Sequence, residues 1–155
     1  FAYSGDATRS RRGIFFDRTN NSLLVQDEIS LKGSTEFIWN MITAATVEIA
    51  ADGKSAVLTR WGKKVWIGIL DGEGIFELTE NKQLPSSPDP DTWPENIAKS
   101  LTQANNSWYR KLTVKRSGVN GYLRLAVYMV PLEAGETVPT SLPSVTGLTE
   151  WSNVY

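Results

Sequence analysis

The stretch Arg60-Trp61-Gly62-Lys63-Lys64-Val65-Trp66 puts three positive charges and two indoles into seven residues. Aromatic rings stack on the apolar faces of pyranose rings while Arg and Lys pair with carboxylate or sulfate, so this segment has the chemistry to grip an anionic sugar. Arg60, Trp61, Lys63, Lys64 and Trp66 are therefore the candidate substrate-binding residues. Trp61 is the better placed indole, because Trp61-Gly62 reads as a tight turn. The competing reading puts Trp66 in the core and leaves the charges on a solvated turn.

Other clusters carry weaker chemistry. Tyr109 to Arg116 holds four basic residues and no acid, and alternation puts Lys111, Thr113 and Lys115 on one face. That face suits a polyanion, or equally an edge strand guarded by lysines against pairing with another chain. Arg9, Arg11, Arg12 and Arg18 crowd the N-terminal region against Asp6 and Asp17. Of Asp27 and Glu28, set in an otherwise apolar strand, alternation sends one inward, where it needs a partner. An arginine of the preceding strand is the obvious one, and the structural pair competes with a catalytic carboxylate. Asp89, Asp91 and Glu95 offer oxygens of the kind calcium takes, but the spacing lacks the glycine and the terminal acid of an EF-hand loop, so no metal is expected. Asn20-Asn21-Ser22 and Asn105-Asn106-Ser107 match the N-glycosylation acceptor pattern, which arises often by chance.

Composition removes most alternatives. The 155 residues contain no cysteine and no histidine, which excludes from this segment thiolate nucleophiles, Ser-His-Asp triads, zinc fingers and a histidine general base. With 16 basic against 17 acidic side chains there is no basic excess of the kind nucleic-acid binders carry, and no stretch approaches the ~18 apolar residues of a membrane helix. Neither nucleic acid nor membrane is expected as a partner. The sequence opens on Phe1 without a charged and then apolar leader, and is expected to be a piece of a longer protein with a signal peptide and a catalytic domain upstream.

The elements that must position these residues are strands. Period-two alternation with β-branched and aromatic enrichment recurs between Gly, Asn and Asp turns. Gly13–Asp17 and Leu23–Ile29 form a hairpin around Thr19-Asn20-Asn21-Ser22, and Glu36–Met41 makes a third strand. Thr46–Ile49, Ser55–Thr59 and Lys64–Leu70 follow across Asp52-Gly53 and Trp61-Gly62, then Gly74–Thr79. From Asn81 to Asn106 the pattern fails in a long Pro-rich loop, with a short helix conceivable over Thr92–Ala98. Trp108–Val114 and Tyr122–Val130 close the sheet on either side of Ser117–Gly121. The expectation is an all-β antiparallel β-sandwich of about nine strands. It spans residues 1–135, with an irregular C-terminal tail over 136–155 that Trp151 and Tyr155 pin back onto the domain.

Taken in succession, Arg11–Phe16 running into Leu23–Ile29, then Phe37–Ala44, Asp52–Thr59 with Gly62-Lys63-Lys64, and the Lys111-Leu112 strand followed by Leu125–Pro131, the chain resembles the C-terminal β-sandwich region of heparinase II/III-like polysaccharide lyases over roughly residues 6 to 135. The resemblance implies a secreted or periplasmic enzyme that cleaves acidic polysaccharide by β-elimination, its upstream helical domain supplying most of the catalytic cleft. The family's histidines have no counterpart here, so no catalytic residue and no metal or other cofactor is assigned to this segment. Its implied partners are the upstream catalytic domain of the same chain and an acidic polysaccharide, and its implied role is to pack on and shape the substrate cleft. A stand-alone carbohydrate-binding module built on Trp61 and Trp66 is the alternative.

Overall fold

The computed structural model describes residues 4–80 and 108–154. Nine strands run through them: β1 (Ala7–Asp17), β2 (Ser22–Leu31), β3 (Thr35–Thr43), β4 (Thr46–Ile49), β5 (Ser55–Arg60), β6 (Lys63–Asp71), β7 (Phe76–Glu80), β8 (Arg110–Val119) and β9 (Tyr122–Pro131), followed by a one-turn helix, α1 (Trp151–Val154). All pairings are antiparallel, in a six-stranded sheet ordered β1-β2-β9-β6-β5-β4 and a three-stranded sheet ordered β3-β8-β7. The protein is an all-β sandwich. The Pro-rich loop, the short helix over Thr92–Ala98, the Asp89, Asp91 and Glu95 cluster, the second glycosylation pattern and Tyr155 lie outside the described residues.

Alternation decides what goes where. The inward side chains Trp39 of β3, Ala56 of β5, Ile67 of β6, Phe76 of β7, Leu112 and Val114 of β8 and Leu125 and Val127 of β9 form the layer between the sheets. Trp39 and Phe76 meet across β8 with ring centroids 6.3 Å apart and planes tilted by 58°. Such a layer supplies most of the folding free energy, at about 25 cal/mol per Å² of apolar surface removed from water.

A second cluster lies on the opposite face of the six-stranded sheet. Leu24, Trp66, Ala126 and Tyr128 are buried there beneath the C-terminal segment, whose Leu132, Val145 and Trp151 pack onto them. A sheet apolar on both faces needs a second cover, and the tail supplies it. It is also clasped by polar groups: the wholly buried Gln26 donates to the carbonyl of Thr146 (2.8 Å), and Glu28 accepts from the Leu148 amide (2.9 Å). Two glycines seat the indoles. A Cβ on Gly68 would stand 1.9 Å from the Trp66 ring, and one on Gly13 would stand 2.3 Å from Leu148 and 2.7 Å from Trp151.

Two details depart from the sequence reading. β8 runs on through Gly118 and Val119, and Asn120-Gly121 then carries the chain from the small sheet to the large one, so β8 and β9 do not form the hairpin that an Asn-Gly turn suggests. And β8 is the central strand of its sheet, so Lys111 and Lys115 guard no edge. Lys115 instead pairs with Glu36 of β3 at 2.7 Å, and this carboxylate holds its amine above the ordinary lysine value.

The sheets are unequal, and the smaller leaves β1 overhanging. Ile14 and Phe16 share the inward parity of Arg12 through the register Arg12–Asp27, Ile14–Val25 and Phe16–Leu23, yet they are 65% and 52% exposed.

Candidate functional site

Arg60 pairs with Lys63 as the last rung of the β5–β6 ladder, so the connection is the two residues Trp61 and Gly62. Both have positive φ, 50° and 74°, the backbone of the type I′ hairpin turn whose twist matches that of the strands. Gly62 adopts that conformation without strain, but Trp61 is a bulky residue in the left-handed region, which Asn, Asp and Gly normally fill. Its indole is 86% exposed. The Arg60 guanidinium stands 4.2 Å from the ring centroid, a cation–π contact that occupies one face.

Positive charge is concentrated at this tip. Arg60, Lys63 and Lys64 are all exposed, and none makes an ion pair with a described residue. Lys63 shares the sheet face of Arg60, while Lys64, one residue on, projects from the other. Beside them a cleft of about 380 Å³ runs between Gly62, Lys63 and Lys64 and the 132–137 turn. The Leu132 amide fixes that wall by donating to the Lys64 carbonyl (3.0 Å), and the Glu136 carboxylate is engaged by the Glu133 amide (2.8 Å).

The five sequence candidates do not converge. Arg60, Trp61, Lys63 and Lys64 gather at the hairpin tip, whereas Trp66 is 7% exposed, lies flat over Gly68 and offers no ring face to a ligand. No two-tryptophan platform exists on this hairpin.

A second cleft, of about 390 Å³, opens between the β1–β2 ledge and the β3 edge. At its floor Arg12 holds Asp27 in a two-pronged ion pair, Nε to Oδ1 at 2.7 Å and a terminal nitrogen to Oδ2 at 2.8 Å. The inward acid of β2 is thus Asp27, matched by a β1 arginine, while Glu28 faces the tail. Asp27 is buried with both oxygens accepting from arginine, an arrangement that fixes strand register and leaves no carboxylate poised as a base. Among the described residues no three His, Cys, Asp or Glu side chains come together as a metal site would require.

The exposed pair Ile14 and Phe16 is an apolar surface feature that the sequence reading did not single out. The signal was present: Ile14-Phe15-Phe16 is three consecutive apolar residues, which puts apolar side chains on both faces of a strand at once. Phe15 joins the cluster beneath the tail, and its two neighbours point the other way. No protein-family model matches the chain, and no curated protein matches it.

Proposed function

We propose that this chain is the non-catalytic C-terminal β-sandwich domain of a larger secreted or periplasmic lyase similar to heparinase II/III enzymes, cleaving acidic polysaccharide by β-elimination. In this reading the domain packs on the catalytic domain of the same chain and shapes its substrate cleft. The observation that carries it is the overhang of β1. Ile14 and Phe16 lie exposed on the inward face of the large sheet, beside an open cleft, where the small sheet does not reach. A sheet leaves such a patch uncovered when another element buries it. The 155 residues also hold no histidine and no cysteine, so an elimination base of the histidine type comes from outside them.

The absence of cysteine makes the test clean. Ile14→Cys gives the 155-residue chain a single thiol, which reacts with a maleimide at the rate of an exposed strand residue. In the protein encoded by the complete reading frame the same thiol is expected to react at least about tenfold more slowly, since labelling follows exposure. Ultraviolet absorbance of an unsaturated uronate product is expected from the complete protein alone. Equal labelling in both, or elimination by the 155-residue chain itself, overturns the proposal.

A further inference from the structure

We infer that the β5–β6 hairpin tip is a binding site for a uronate-type acidic saccharide, with the free face of the Trp61 indole as the stacking surface and Lys63 and Lys64 as the carboxylate contacts. The inference rests on two local choices that oppose folding and that, among the described residues, only the Arg60 cation–π contact offsets. The first is Trp61 itself, a bulky side chain at positive φ where a type I′ turn is best served by Asn, Asp or Gly. Residues held in sparsely populated backbone regions gather at ligand contacts because strain with no folding benefit is otherwise removed. The indole returns nothing to the core, being 86% exposed with only Arg60 against it.

The second choice is charge. Arg60 and Lys63 are directly opposite across the ladder, and like charges in that position destabilise a hairpin. Lys64 adds a third positive charge; Glu133 and Glu136 line the far wall of the cleft beside Lys63 and Lys64, but no described acid forms an ion pair with any of the three. An exposed indole at the end of a ladder that carries Arg60 and Lys63 on one sheet face and Lys64 on the other calls for a ligand with a flat apolar face and a carboxylate at its rim. A uronate pyranose has both. The footprint is one hairpin tip beside one cleft, the size of a few sugar units, and the near-neutral net charge of −1 does not favour a long polyanion such as nucleic acid. The tip belongs to strands three and four places from β1 in the large sheet, so this site stands whether or not the β1 ledge docks on another domain.

The test titrates the ¹⁵N-labelled 155-residue chain with an unsulfated tetragalacturonate, with a neutral glucan tetramer of the same length and with phosphatidylserine vesicles. The Trp61 indole N–H, assigned by its loss in Trp61→Gly, is the reporter. The expected result is a saturable shift with the uronate and none with the neutral sugar; the affinity, read in the variants from the backbone amides of Gly62 and Lys64, is weakened about tenfold or more in Trp61→Gly and in Lys63→Glu. Trp61→Gly is also expected to melt at or above the wild-type temperature, since it relieves the turn. Four results overturn the inference: no shift with the uronate, an equal shift with the neutral tetramer, a response to vesicles alone, or a lower melting temperature for Trp61→Gly.

Discussion

Trp61 and Trp66 sit five residues apart on one hairpin and are treated in opposite ways. Trp66 has a seat made for it: Gly68, two residues along the strand, leaves space for the ring, Ala126 and Tyr128 flank it, and the C-terminal segment lies over it. Trp61 has no seat, a backbone conformation suited to other residues, and full exposure. The charges sharpen the contrast. Arg12 meets Asp27, Lys115 meets Glu36, Arg116 meets Glu73 and Arg124 meets Asp71; Arg60, Lys63 and Lys64 meet no described acid, as is also true of Arg9, Arg11 and Arg18, but only at the tip are two such cations directly opposite across a ladder. A region in which each group has its partner is explained by folding. A region that lacks them needs a reason beyond it.

The largest expected effect comes from emptying the seat that folding explains. Trp66→Ala removes a buried indole from beneath the tail and is expected to destabilise the domain by about 3–5 kcal/mol, read from the urea midpoint at unchanged slope. A loss below about 1 kcal/mol would mean that the tail does not hold Trp66 down, and the contrast with Trp61 would collapse. Next in size is the pair at the floor of the β1–β3 cleft. Asp27→Asn keeps shape but removes the carboxylate charge that both prongs of Arg12 engage. Because Asp27 is 8% exposed and Arg12 is 55% exposed, the expected loss is about 2 kcal/mol, between the buried and surface extremes. A change under about 0.5 kcal/mol would place this pair with the ordinary surface contacts.

Much of this was legible before any coordinates. Period-two alternation sends one of Asp27 and Glu28 inward, without saying which, and the hairpin turn at Thr19–Ser22 brings an arginine-bearing strand beside them. Trp61-Gly62 is readable as a turn, which makes one indole exposed and leaves the other in a strand. What alternation cannot carry is non-local pairing: that β9 lies between β2 and β6, and that β8 is central in the smaller sheet, follow from contacts between distant segments. The tail was legible only in part: Trp151 does pin it to the sheet, as its indole suggested. Its residues have no period, though, and its polar attachment runs through Gln26, a polar side chain in an apolar strand whose partner lies 120 residues away. The β1 overhang depends on the sheets having six and three strands, a count no single strand encodes.

The smallest expected effect addresses the tip most directly. In Lys63→Glu the pair opposite Arg60 changes from like to opposite charge without altering the turn, the indole or any buried contact. Cross-strand charge pairs contribute roughly 0.2–1 kcal/mol, so the variant is expected to be more stable than the wild type by about 0.5 kcal/mol, with the gain shrinking as salt is raised. A differential melt at low and high ionic strength resolves it. The sign is what matters: a substitution that improves folding at a tip that carries three cations and an exposed indole shows that the native residue serves something other than the fold. Were Lys63→Glu instead to destabilise, Lys63 would have a stabilising role within the domain, and the hairpin tip would join Trp66 on the side of the molecule that folding alone explains.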